Sequence, residues 1–153
     1  MGSAASSGLP FFFKKLLLVW GYMEYKVIGN KEIENALSTI GRDIKKSSLL
    51  SGNWSEPYAL AIMVMDNVKP DAEVHESKRD LWYVVSGKGI FILGGTLVDR
   101  KDKGEGELTG SSIEGGEIFE VGGGDVIDIP AGVAHQIDAR GERLEMLIVK
   151  ISK

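Results

Sequence analysis

The sequence predicts an all-β fold, a sandwich or barrel of short antiparallel strands with one short helix near its start. Three observations carry the prediction. Eight or more runs rich in aliphatic, β-branched and aromatic residues follow one another, separated by Gly, Asn and Asp turn signals. Only one segment repeats its apolar residues at helical spacing. The chain carries 20 glycines against 4 prolines, the balance of many tight turns rather than of a linker.

The 153 residues suit one domain and can bury an apolar core without covalent staples. There is no cysteine, which excludes disulfides, thiolate metal sites and cysteine nucleophiles. Lys and Arg number 18, Asp and Glu 22, a formal net charge of −4. That mild acidity is no footprint for nucleic acid or an anionic membrane, and neither is expected as a partner. Residues 1–22 read as a flexible or tag-like segment, with Met23 as an internal start, and residues 23–153 as one domain. The apolar runs Pro10 to Phe13 and Leu16 to Trp20 are split by Lys14 and Lys15. Both fall far short of the roughly 20 residues of a membrane helix. The lysines interrupt the apolar region instead of preceding it, unlike a signal peptide, so a cytoplasmic location is expected. Phe11 to Trp20 has no place in a small barrel's own core. A homodimer is therefore expected, with this segment or the first strand packed on the neighbour.

The elements follow in order. Tyr25 to Ile28 is expected to be the first ordered segment. Asn30 offers an N-cap for a helix carrying Ile33, Ala36, Leu37 and Ile40, closed by Gly41. Ile44 to Leu50 alternates weakly, and Tyr58 to Met65 is a strongly apolar strand. Leu81 to Val85 and Gly89 to Leu93 flank a Gly87-Lys88-Gly89 turn and read as a hairpin. Strands are expected at Glu117 to Val121, Val126 to Ile129, His135 to Asp138 and Arg143 to Ile151. Residues 99–116 are polar and glycine-rich without period, which reads as a long loop over a barrel mouth.

The chemistry gathers around the only two histidines, His75 and His135. Glu73 and His75 stand two apart, so in a strand they share a face. Asp80, Trp82 and Val84 share a face of the next strand. Pro130 and Gly132 form a rigid turn that delivers His135. If these strands line one barrel, Glu73, His75, Asp80 and His135 converge as candidate ligands. Imidazole and carboxylate together suit Mn, Fe, Ni, Co or Zn. Glu73 reads equally as a solvated edge residue near a turn, or instead as an outer partner accepting from a ligand histidine. Trp82 reads as core or as a cavity wall. Lys78 and Arg79 are basic but read as a solvated face. Gln136 points away from His135. The glycine clusters lack the strand–loop–helix setting that phosphate binding needs.

These residues also resemble the two cupin motifs. The first commonly runs His-x-His, three or four residues, Glu, six residues, Gly; here it reads Glu73-x-His75, four residues, Asp80, six residues, Gly87. The second runs Gly, five residues, Pro-x-Gly, two residues, His; here it reads Gly124, five residues, Pro130-Ala-Gly132, two residues, His135. Ala139 stands where the motif closes on Asn. The likeness covers roughly residues 57–151 and is closest to small single-domain cupins of the conserved-barrel kind, the RmlC-like group. The resemblance implies a double-stranded β-helix, or jelly roll, with a metal near one mouth. Two carboxylates neutralise a divalent ion, whereas three histidines and one glutamate leave a net positive charge. The neutral site is a weaker Lewis acid and favours harder ions such as Mn and Fe(II) over Cu.

The functional expectation is a metal-binding cupin that acts on or binds a small organic molecule. As an oxygenase it would use His75, His135 and one carboxylate as a facial triad; as an isomerase, a metal to polarise a carbonyl. The alternative is a non-catalytic ligand-binding cupin with a structural metal or none.

Overall fold

The structure, a computed structural model, describes residues 25–54 and 57–153. The expectations for residues 1–22, including a docking role for Phe11 to Trp20, lie outside the described residues. Helix α1 spans Asn30–Ser38. The strands follow as β1 Ile44–Gly52, β2 Tyr58–Asp66, β3 Ala72–His75, β4 Lys78–Ser86, β5 Lys88–Leu93, β6 Thr96–Val98 and β7 Lys101–Asp102. The chain continues with β8 Glu107–Gly110, β9 Ser112–Glu114, β10 Glu117–Gly122, β11 Val126–Ile129, β12 His135–Asp138 and β13 Arg143–Ser152.

Two antiparallel sheets face each other. One has the order β1-β2-β13-β4-β11, the other β10-β5-β12-β3-β8-β7, and β6 and β9 form a small separate pair. Consecutive strands often lie in opposite sheets, the wrapping of a double-stranded β-helix. The core fills the space between the sheets with inward residues of alternating strands, among them Met65, Trp82, Phe91, Ile137, Leu144 and Met146. Trp82 meets Phe91 edge-on at 5.8 Å, the arrangement aromatic quadrupoles favour. Burying each large apolar side chain contributes roughly 1.5–3 kcal/mol.

Helix α1 lies outside the barrel. Its Ile33, Ala36 and Leu37 cover Ile62 and Val64 on the outer face of the five-stranded sheet. Its N-cap is Gly29 rather than Asn30; Asn30 is the first helical residue, and its amide donates to Glu34 Oε1 at 2.6 Å. Thr39, not Gly41, closes the helix. Tyr25 to Ile28 forms no strand, and Tyr25 and Val27 stand in solvent. No helix among the described residues is long and apolar enough to cross a membrane.

Two further expectations are corrected. β4 and β5 are not a hairpin: β4 pairs with β11 and β13, and β5 with β10 and β12. Both strands present an apolar face to one core, Trp82 and Val84 from one side and Phe91 from the other. Gly87 therefore turns the chain from one sheet to the facing one. The second correction concerns residues 99–116, which hold β7, β8 and β9. Strands of two to four residues are too short to show a period. They form because β8 adds to the edge of β3, while Leu97 and Ile113 pack on Val74, Leu108 and Ala134 behind the sheet. The close packing there needs glycine at 110, where a Cβ would stand 2.5 Å from the Val98 carbonyl oxygen.

Candidate metal centre

β3 lies beside β12, and Glu73 pairs directly with His135. Directly paired residues share a face, so both face inward with His75. From the opposite sheet β4 presents Asp80, itself paired with Lys150 of β13. Glu73, His75 and His135 form a tight triple whose ligand atoms lie within 4.8 Å of one another. Asp80 joins it from the facing sheet: its Oδ2 is 3.4 Å from His75 Nε2 and 3.9 Å from His135 Nε2. Glu73 Oε2 lies 4.0 and 3.9 Å from the same two nitrogens. The structure thus brings together all four residues that the sequence singled out. Ligand atoms about 2.0–2.2 Å from one tetrahedral ion are about 3.3–3.6 Å apart, so the carboxylate-to-imidazole separations of 3.4–4.0 Å lie close to those of a filled shell.

The hydrogen bonds engage Nδ1 of both imidazoles and so leave Nε2 as the nitrogen that can ligate. His75 Nδ1 bonds a carboxylate oxygen of Glu107, which can only accept, so Nδ1 carries the proton. His135 Nδ1 donates to the Val133 carbonyl at 3.2 Å. Both Nε2 lone pairs then face the same space. His135 Nε2 and both Asp80 oxygens are buried without a hydrogen bond among the described residues. Lys150 Nζ does lie 3.4 Å from Asp80 Oδ1, an ion pair too long and poorly aligned to count as a hydrogen bond. Buried polar atoms without partners are costly, and this set is what a divalent cation satisfies. The residues therefore fit a metal.

Electrostatics agree. Burial opposes ionisation of Glu73, but the charge and hydrogen bond of Lys45, with the two histidines, outweigh it and hold the carboxyl below its ordinary range. Lys45 Nζ sits 2.6 Å from Glu73 Oε1. Burial of His135 holds its imidazole below the ordinary value, and His75 pushes the same way. Burial likewise opposes ionisation of Glu107, and Lys78, 2.8 Å from Oε1, outweighs it together with His75. Each group is thus held in the state a metal ligand or its outer partner needs.

Three residues of the cluster escaped the sequence reading: Glu107, Lys45 and Lys150. Lys150 Nζ lies 2.8 Å from His75 Nε2. A signal for it existed, since Leu144, Met146 and Ile148 are the buried core phase of β13 and Lys150 continues that phase. Glu107 had no such signal in its polar surroundings. Trp82 is packed in the core, and its indole N–H meets no acceptor among the described residues. Arg79 is taken up by Asp128 on the exposed face. Gln136 is buried away from the site, donating to the Pro70 carbonyl at 2.9 Å.

No family model and no curated protein matches the chain. Solved structures do. A double-stranded β-helix protein from Klebsiella pneumoniae superposes with a TM-score of 0.56 at 13% identity, over 84% of this chain and 91% of that one. A cupin superfamily protein from Desulfitobacterium hafniense gives 0.51 at 16% identity, over 74% and 83%. The DMSP lyase DddQ from Ruegeria pomeroyi gives 0.53 at 16% identity over 72% of this chain, which spans only 48% of the lyase. With its two facing antiparallel sheets and these structural likenesses, the chain has the cupin fold, a double-stranded β-helix.

Proposed function

We propose that the protein is a metal-binding cupin whose metal, held by Glu73, His75, Asp80 and His135, binds or transforms a small organic molecule. The observation that carries this reading is the pair of Nε2 lone pairs, fixed by Glu107 and Val133, aimed with two carboxylates at one buried space. The donor set, two nitrogens and two oxygens, suits Mn, Fe, Ni or Zn. When bound, such an ion polarises a carbonyl or carboxylate oxygen of a ligand. The chain's own residues hold the imidazoles in the right tautomer and enclose the site between two sheets. The likeness to a lyase supports an enzymatic role at the level of the fold alone.

The test compares metal-loaded with chelator-stripped protein, aerobically and anaerobically, against a panel of small organic acids, aldehydes and ketones. Binding or turnover that needs the metal is expected, and a dependence on oxygen separates an oxygenase from an isomerase or lyase. Ligand binding of equal strength in stripped protein would overturn the reading.

A further inference from the structure

Lys150 is the residue of the cluster that a plain metal site does not explain. A lysine ammonium is a donor only, yet it points at the His75 Nε2 lone pair from 2.8 Å. It stands 3.4 Å from Asp80 Oδ1. Asp80 is 2% exposed, and a carboxylate so deeply buried needs a cation nearby. In the absence of a metal, that cation is Lys150. An ion cannot take the same lone pair while the ammonium holds it. The β13 ladder fixes the Lys150 backbone between Asp80 on β4 and Ala59 on β2. Only its four-carbon stem is free to swing the charge aside.

Charge then says what the displaced ammonium faces. Glu73, Asp80 and Glu107 are matched by Lys45, Lys150 and Lys78, each within 3.4 Å of one carboxylate oxygen. The three carboxylates and three ammonium groups cancel, and imidazoles ligate a metal in their neutral form. A divalent ion makes the cluster doubly positive in a partly desolvated space, and an anionic ligand restores the balance. We propose that Lys150 is a displaceable cation of this site, holding the place of the metal in the metal-free protein and anchoring an anionic, carboxylate-bearing ligand beside the ion once the metal binds. The inference rests on the metal reading above and names the ligand class for it.

The test uses the full chain and two variants, Lys150→Met and Lys150→Arg. Each metal-free protein is titrated with Mn²⁺ and with Zn²⁺ by calorimetry. Each loaded protein is then titrated with malonate, and with neutral malonamide as control. Lys150→Met should bind metal about 10- to 100-fold more tightly, the span expected for losing a competing charged hydrogen bond. Loaded Lys150→Met should bind malonate at least about tenfold more weakly than wild type, by the same bond. Lys150→Arg should retain malonate binding, and malonamide should not distinguish the proteins. Metal-free Lys150→Met should melt lower than wild type, because Asp80 has lost its cation, and metal should raise its melting temperature by more. Unchanged or weaker metal binding in Lys150→Met, or equal malonate affinity in all three loaded proteins, overturns the inference while leaving the metal reading intact. Absence of metal binding in wild type and both variants overturns the two together.

Discussion

Replacing Glu107 by glutamine changes one charge and almost no volume. In the native protein one carboxylate oxygen accepts from His75 Nδ1 and the other from Lys78 Nζ at 2.8 Å. An amide has only one oxygen. If it serves His75, its NH₂ group confronts the Lys78 ammonium, donor against donor. If it serves Lys78, the NH₂ group confronts the Nδ1 proton, and the imidazole is pressed toward the tautomer whose proton sits on Nε2. Either choice costs one charge-assisted hydrogen bond, about 1.5–3 kcal/mol. The loss falls on the metal-bound state, because a ligand imidazole donates most strongly when a carboxylate holds its other nitrogen. The Glu107→Gln protein should therefore bind Zn²⁺ or Mn²⁺ about 10- to 100-fold more weakly, the range seen for such outer partners. Competition titration against a chelating dye measures the change. Thermal unfolding of the metal-free protein controls for folding. Glu107 is partly exposed, so only a small shift in melting temperature is expected. Metal affinity within twofold of wild type, in a variant that melts normally, would refute the assignment of Glu107 as the partner that orients His75.

Other expectations are as direct. Gly87 turns β4 toward the facing sheet at φ +81°, and a Cβ there would lie 1.8 Å from the Arg143 carbonyl oxygen. Gly87→Ala should thus lose more than the roughly 1–2 kcal/mol of left-handed strain alone, readable by urea unfolding. Metal-free protein should lose stability as pH falls below ~6.5, the ordinary histidine value. Burial depresses the folded value of His135, so the unfolded chain binds the extra proton and stability rises with pH in that window. The carboxylates Glu73, Asp66 and Asp138 are depressed too, but their contribution is lost only at lower pH, below the ordinary carboxylate range. Melting curves from pH 8 to pH 5 check this, and His135→Ala should flatten the slope. Metal at about 100 times its Kd should stabilise the wild type by about 2.7 kcal/mol through mass action, seen as a chelator-reversible rise in melting temperature.

The sequence made the strands with strong alternation legible, and it made the four candidate ligands legible through local spacing. Glu73 and His75 are two apart, Asp80 opens the inward phase that Trp82 and Val84 continue, and Pro130 with Gly132 sets up His135. Such relations survive without knowing which strands pair. The residues around them do not work that way. Glu107 reaches His75 only because β8 pairs with β3, and Lys45 reaches Glu73 from the edge of the other sheet. Both sit among charged neighbours that read as solvated surface. The misread hairpin at Gly87 has the same origin: a glycine turn between two apolar runs looks alike whether the strands pair or face each other across a core. Short β7 to β9 were invisible because their stability comes from the strands they pair with, β7 on β8, β8 on β3 and β9 on β6, not from their own composition.

The central claim is that His75 and His135, with Glu73 and Asp80, hold one divalent transition metal. Elemental analysis of protein purified without a histidine tag, then reloaded and desalted, tests it most directly. Wild type should retain about one ion per chain. His75→Ala and His135→Ala should each retain almost none after desalting, because one imidazole and two carboxylates lack the nitrogen donors to hold Fe, Ni or Zn firmly. Full metal content in either folded variant would place the ion elsewhere and contradict the account.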